Sequence, residues 1–322
     1  MRHLPASAAA PAEEPPRSGQ TETNAASAVT QVIASGLLFL VLYRYLLGTI
    51  GASSLGVWSL VLASTNVSRL GGFGLQGSAI RYVARYLALG DRATAARVVE
   101  TSLLATGAVI AVAAALAYPL VDLLLARLLA GNDITLAREI LPYAFGSLWL
   151  NAVTLVVQSG LDGCQRADLR SSATVYANAL FVAAAIAAVP AFGLRGLAIA
   201  QLLQSAVLLG WTWLRLRRVL PELPLAPRSW SCPLFREMFR YGANVQAETF
   251  FWMLHEPLAK ILISHFGTIA AVGYFEMASR LVQQLRSLLT AGFQVLIPVI
   301  ANYHETASGR VREVYALSLI HI

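Results

Sequence analysis

The chain has 322 residues, of which 57% are apolar and 13% charged, with a mean hydropathy of +0.62. A soluble domain is about 25% charged, so a soluble globular protein is excluded and an integral membrane protein is indicated. The formal net charge of +7 does not indicate nucleic acid, because excess arginine on a polytopic protein marks its cytoplasmic loops.

Residues 1–27 are rich in Ala, Pro, Ser, Thr and Glu and lack the apolar core and cleavage site of a secretory signal. They read as a disordered cytoplasmic tail. A membrane span needs roughly 20 apolar residues. Eight stretches qualify, at about 28–48, 53–80, 101–125, 139–160, 172–192, 194–214, 242–264 and 268–300. The second and the last are long enough that they must tilt or project. The expected fold is therefore an all-α polytopic membrane protein.

Charge sets the orientation. With the amino terminus inside, sixteen arginines fall in cytoplasmic segments and only Arg127, Arg138 and Arg195 fall outside. That is a positive-inside bias. Residues 215–241 form the longest connection, broken by Pro221, Pro224, Pro227 and Pro233, and read as a cytoplasmic linker between two halves. Within it, Arg236 to Tyr241 has the pattern of a short amphipathic piece at the interface. The domain reading is a six-helix lobe over 28–214, the linker, and the first two helices of a second lobe over 242–316. Residues 317–322, Leu-Ser-Leu-Ile-His-Ile, read as the translated end of a sequencing adapter.

An internal repeat agrees with two lobes. A shift of 217 positions brings Gly56 onto Gly273, Trp58 onto Phe275, Arg69 onto Arg286, Ala84 onto Ala301 and Tyr86 onto Tyr303. The two pairs of spans run in the same direction, and such parallel repeats place a substrate site between lobes near the midplane.

Five cations lie inside apparent spans: Arg44, Arg69, Lys260, Arg280 and Arg286. Each costs at least ~2.5–3.5 kcal/mol at the bilayer centre on insertion scales. Such residues face a protein-lined cavity, and a positive interior points to an anionic cargo. Arginine suits phosphate because its planar fork binds two oxygens at once. The competing reading for Arg69 and Arg286 is an ion pair within each bundle. Arg44 and Lys260 either line the cleft or snorkel to the interface, and Arg280 either binds cargo or pairs with Glu276 one turn earlier. Glu256, beside the helix-kinking Pro257, is either a counter-ion for Lys260 or Arg44 or a group that couples transport to H⁺ or Na⁺. Polar residues such as Gln158, Asn178, Gln201 and Gln204 read mostly as interhelical hydrogen-bonding groups.

Other chemistry finds no support. The run Gly72-Phe73-Gly74-Leu75-Gln76-Gly77 matches a dinucleotide fingerprint literally, but it sits in an apolar span with no preceding strand. No Cys/His spacing suggests a metal, and Cys164 and Cys232 both fall in loops expected in the cytoplasm, so no disulfide and no cofactor are expected. No catalytic constellation appears, so the chain reads as a non-enzyme.

The chain resembles the polysaccharide (oligosaccharide) flippases of the multidrug/oligosaccharidyl-lipid/polysaccharide exporter superfamily, over about residues 28–316. The resemblance is carried by Tyr45-Leu46-Leu47-Gly48, by Gly51-Ala52-Ser53-Ser54-Leu55-Gly56-Val57-Trp58-Ser59-Leu60, and by Gly72-Phe73-Gly74-Leu75 followed by Arg81-Tyr82-Val83-Ala84. Gly193-Leu194-Arg195-Gly196-Leu197-Ala198, Phe266-Gly267 and Val272-Gly273-Tyr274 continue it. It implies a two-lobe helical-bundle transporter with twelve to fourteen spans, so eight spans imply a shortened second lobe. It also implies a monomer in the bacterial cytoplasmic membrane that moves polyprenyl-diphosphate-linked oligosaccharide for surface polysaccharide biosynthesis. The diphosphate would then meet Arg44, Arg69, Lys260, Arg280 and Arg286. The alternatives are a multidrug or small-cation exporter of the same superfamily, and a many-span polysaccharide polymerase or ligase. The first predicts an acidic cavity and the second a larger outer loop than residues 126–138 provide.

Overall fold

A computed structural model describes residues 18–66, 75–129 and 131–242, together with position 282. Among them every regular element is a helix: α1 (Ser18–Thr49), α2 (Gly51–Asn66), α3 (Leu75–Ala88), α4 (Arg92–Leu128), α5 (Asn132–Gly163) and α6 (Ala167–Val219). The chain is helical again over 232–242, here called α7.

The helices are long because their sequences are Ala- and Leu-rich with few breakers. At 1.5 Å per residue, the 37 residues of α4 reach about 56 Å, well past the ~30 Å hydrocarbon core. The helix ends carry specific stops. After α3, Gly90 takes φ +75°, while the Gly90 N–H donates to the Leu87 carbonyl at 3.0 Å and the Asp91 N–H to that of Tyr86 at 2.9 Å. Asp91 then caps α4, its carboxylate accepting from the Thr94 N–H at 2.9 Å. The hydrogen bonds from Thr94 hold the Asp91 carboxyl below its usual range. At the start of α6 the cap comes from far away: Asn24 of α1 accepts from the Asp168 N–H at 3.0 Å and donates to the Gln165 carbonyl at 2.9 Å.

α6 is 53 residues long yet is a hairpin of two limbs. Gly193 has φ +54° and ψ −134°, outside any helix and open chiefly to glycine. The contacts fold symmetrically about it. Gln204 donates to Asn178 at 2.7 Å, and Tyr176 stacks on Trp211 with ring centroids 5.8 Å apart. A Cβ on Gly196 would sit 2.5 Å from the Ala188 carbonyl oxygen, which only a glycine permits. The two expected spans at 172–192 and 194–214 are these two limbs.

α5 is the axis of the bundle. Half of its apolar window is buried, against 11% for α4 and 6% for α1. One apolar cluster surrounds its first half, with Leu46, Trp58, Val61, Leu125, Phe181 and Leu197 packed on Ile140 and Leu141. A second surrounds its other end, where Val83, Val98, Val99, Leu216 and Met238 meet Val157 and Leu161. Glycines let neighbours close on this second end. A Cβ on Gly163 would lie 2.8 Å from Val83 Cβ, and one on Gly160 would lie 2.9 Å from Leu216 Cδ2. Close backbone approach of this kind is how helices associate in lipid, where no hydrophobic effect drives them together.

The outside is apolar. Val112, Leu116 and Leu120 of α4 are 61%, 68% and 67% exposed, and Phe192 of α6 is 63% exposed. An apolar patch of that extent is a lipid-facing surface. Among the described residues four helices are long and apolar enough to cross a membrane, and the chain is a multi-pass membrane protein.

Two expectations meet differences. Helix α1 is already formed at Ser18, inside the segment expected to be a disordered tail. Of the long span expected over 53–80, α2 and α3 are described and residues 67–74 lie outside the described residues. The linker is held to the bundle: buried Glu100 of α4 accepts from the backbone N–H groups of Arg228 at 2.8 Å and Ser229 at 3.0 Å, and Ser231 N–H donates to Thr101 Oγ1 at 3.3 Å. The expected spans at 242–264 and 268–300, the repeat partners within them and the tail at 317–322 lie outside the described residues.

The packing around Gly163 gives a direct check. Gly163→Ala forces α3 away from α5 and is expected to cost about 1–3 kcal/mol, as overpacking does. Thermal unfolding of the detergent-purified protein should show a lowered midpoint, while Gly210→Ala, where a Cβ meets nothing within 4 Å, should leave it unchanged.

Candidate functional site

Of the six residues singled out for cargo or coupling, Arg44 falls within the described residues. Arg69 lies in 67–74, and Glu256, Lys260, Arg280 and Arg286 lie beyond 242, all outside them.

Arg44 sits five residues from the end of α1 and is exposed. Helical period explains the direction. Leu42 and Leu46, two residues to either side, are 2% and 1% exposed and face the core. Two residues along a helix is about 200° of rotation, so Arg44 points away from the bundle. It shares that face with Ile33, Leu37, Leu40 and Leu47, exposed by 60%, 62%, 66% and 55%, spaced three or four residues apart. Among the described residues no carboxylate lies within ion-pair distance of it. Arg44 is thus a lone cation on an apolar stripe.

Behind this stripe runs a polar layer. Asn178 of the first α6 limb donates to Ser35 Oγ of α1 at 2.8 Å and accepts from Gln204 of the second limb at 2.7 Å. Gln158 of α5 approaches Thr174 at 3.4 Å, and the buried Oε1 of Gln201 has no partner among the described residues. The expectation that such residues serve as interhelical hydrogen-bonding groups holds for Asn178 and Gln204. The layer is neutral, and Asn178 spends both its donor and its acceptor within the bundle.

The two ends of the bundle differ in charge. One end gathers the α3–α4 and α5–α6 turns, the end of α6 and α7. Its ion pairs are Arg85–Glu237 at 3.2 Å, Arg92–Glu222 at 2.9 Å, Arg166–Asp168 at 2.9 Å and Arg170–Asp162 at 3.2 Å. All four have at least one partly exposed partner, so each contributes little stability individually. The opposite end carries Arg138, which grips Asp122 through Nε at 2.8 Å and Nη2 at 3.1 Å, and Arg195, which donates to Tyr143 Oη at 3.3 Å. Asp122 is therefore neutralised. Among the described residues no group of Cys, His and acids is placed to hold a metal.

Sequence reasoning missed the Glu100 anchor. A lone acid eight residues into a helix gives no local sign that it receives backbone N–H groups from 128 and 129 residues away. It also missed that Cys164 is set apart from Cys232. Burial pushes the Cys164 thiol up to about 11, despite the nearby Arg92 and Arg166, while Cys232 is exposed.

A family model described as "Polysaccharide biosynthesis protein" matches residues 23–304. No curated protein matches the chain. Among solved structures, the fold is similar to the outward-facing conformation of a multidrug resistance MATE family transporter of the MOP superfamily, with a TM-score of 0.67, 18% identity, and coverage of 94% of this chain and 71% of that one. It is similar to a MOP superfamily transporter from Pyrococcus furiosus whose binding pocket is described as reversed in polarity, with a TM-score of 0.63, 19% identity, and 93% and 66% coverage. MATE in the bent conformation gives a TM-score of 0.63 at 19% identity, covering 94% of this chain and 68% of that one. At these identities the likeness establishes a shared fold.

Two measurements follow from the geometry. At neutral pH a maleimide should modify the exposed Cys232 readily and Cys164, whose thiol burial pushes up to about 11, at least tenfold more slowly; peptide mass mapping reads both rates. Asn178→Leu strips Ser35 and Gln204 of a partner together, and should lower stability by about 1–2 kcal/mol in a detergent unfolding assay.

Proposed function

The chain belongs to the polysaccharide biosynthesis protein family and is a membrane transporter of the MOP superfamily, and on that premise we propose that it is a flippase for a polyprenyl-diphosphate-linked oligosaccharide. The observation that carries the proposal is Arg44: a guanidinium without a carboxylate partner among the described residues, on an otherwise apolar face turned away from its own bundle. Holding an unpaired arginine at such a place is costly, and an anionic ligand arriving at that face repays the cost. The α1 stripe faces the second lobe in this reading. Arg44 and Arg69 then stand opposite Lys260 and Arg286, with Arg280 beside them, and together they hold the diphosphate. Glu256 serves as counter-ion or couples the cycle to H⁺ or Na⁺.

The mechanism is alternating access of a cleft between the lobes. The neutral layer of Ser35, Asn178 and Gln204 supports the wall of the cleft, and the sugars travel through it. The lipid tail stays in the bilayer, because drawing it into a watery cleft forfeits ~0.8 kcal/mol per CH₂. The arginine-rich end of the bundle faces the cytoplasm, in line with the positive-inside rule, which puts the amino terminus inside a bacterial cytoplasmic membrane. The protein acts as a monomer without a cofactor.

The likeness to a multidrug resistance transporter favours a second reading, export of small cations. Against it, the acids among the described residues whose side chains are placed lie towards helix ends or in connections, and the polar layer inside the bundle is neutral.

The test is complementation. In a strain lacking its oligosaccharide flippase, the gene should restore surface polysaccharide. Arg69→Ala with Arg286→Ala should reduce it at least tenfold, roughly the loss of one charge-assisted contact, and Arg44→Ala should reduce it by a smaller factor, at matched membrane levels. Undiminished export by the double variant sinks the cationic cleft, and drug resistance without restored polysaccharide establishes the exporter instead.

A further inference from the structure

A second cationic site lies at the arginine-rich end, away from the α1 stripe. Arg81 and Tyr82 of α3 and Cys232, Pro233, Arg236, Glu237, Arg240 and Tyr241 of α7 line an open cavity of about 730 Å³. Its charge is not balanced from within. Glu237 is engaged by Arg85 at 3.2 Å, whereas Arg81, Arg236 and Arg240 have no carboxylate within ion-pair distance among the described residues. Arg81 is fixed by stacking, its guanidinium 4.4 Å from the centroid of the Tyr241 ring. That ring in turn meets Tyr82 edge-on at 6.3 Å.

α7 presents three faces. Met238 is fully buried and packs with Leu234 and Tyr241 against the end of the bundle; its carbonyl accepts from Ser78 Oγ at 2.9 Å and its sulfur from Ser102 Oγ at 3.4 Å. Next around the helix come Phe235 and Phe239, which continue an aromatic row from Trp230, with ring centroids 5.1 and 5.7 Å apart. Trp230 is 50% and Phe239 40% exposed. Past the aromatic face come Arg236 and Arg240, at the positions opposite Met238. An aromatic row beside a cationic face, on a helix docked at the end of a membrane bundle, matches the level of lipid headgroups.

We propose that the cavity between α3 and α7 binds the phosphate headgroup of an anionic membrane lipid, with Arg81, Arg236 and Arg240 on the phosphate and the Trp230–Phe235–Phe239 row along the acyl chains. Both halves of the site point to a lipid rather than a free anion. The cations recognise phosphate, and the aromatic row has no use for a water-soluble ligand. The inference stands on the membrane placement of the bundle and not on the identity of the transported cargo.

Native mass spectrometry of the purified protein tests it, with phosphatidylglycerol and phosphatidylcholine added at equal amounts. One phosphatidylglycerol should be retained beyond the background seen with phosphatidylcholine, and Arg236→Gln with Arg240→Gln should weaken that retention by about tenfold or more. Both arginines are exposed, so folding should survive; Arg236→Lys with Arg240→Lys keeps the charge and should recover most of the retention. Cys232, in the wall of the cavity, supplies a second readout: phosphatidylglycerol should slow its alkylation several-fold, and inorganic phosphate at the same concentration should not. Equal retention by protein and double-Gln variant, or equal protection by inorganic phosphate, overturns the proposal. Export measured in the complementation strain is a separate outcome, so loss of cargo transport with intact lipid retention fails one reading without touching the other.

Discussion

The bundle is organised by one constraint: lipid offers no hydrogen bonds, so every polar group carried into the membrane must find its partner inside the protein. Buried hydroxyls along α5 and α6 meet this locally. Thr154, Ser159, Ser205 and Thr212 each donate to the carbonyl one turn back, at 2.7 to 3.0 Å. The longer amides cannot, and they reach between helices, so Asn178 joins α1 to both limbs of α6. Glu100 is satisfied by backbone N–H groups brought in from the following connection. Against this background Arg44 stands out, because its requirement is met by nothing in the described bundle.

The membrane character and the placement of the first spans were legible because hydropathy and length report directly on them. The hairpin of α6 was legible too, since two apolar runs of span length meet at Gly193-Leu194-Arg195-Gly196; the positive φ at Gly193 and the crowding at Gly196 came only with the structure. Arg44 could be picked out as a cation in an apolar segment, and Leu42 and Leu46 beside it were clues to its direction. Which side of the helix would be core depended on partners that a single sequence does not reveal. Long-range contacts were the least legible. Asn24 capping a helix that starts 143 residues later, and Glu100 receiving Arg228, follow from how helices stack and leave no mark on the local pattern.

The charge distribution of the bundle is uneven. At one end arginines pair with neighbouring acids, as Arg85 does with Glu237 and Arg92 with Glu222, while Arg81, Arg236 and Arg240 have no carboxylate within ion-pair distance among the described residues. The neutral polar layer and the solitary cation on α1 lie on the side where a transport path is proposed. A lobe built this way presents little charge of its own to a cleft, so in the proposed flippase most of the electrostatic work of holding the diphosphate would fall to Arg69 and to the residues beyond 242.

The Glu100 anchor has a mechanical side. By seizing the backbone of Arg228 and Ser229, and with Met238 sunk among the ends of α3 and α4, it makes the stretch from Leu220 to Gly242 ride rigidly with the first bundle. A tether that would otherwise span some two dozen residues is thereby reeled in. In the proposed alternating-access cycle, the slack in the connection is thus shortened by an acid sitting a third of the way along the chain.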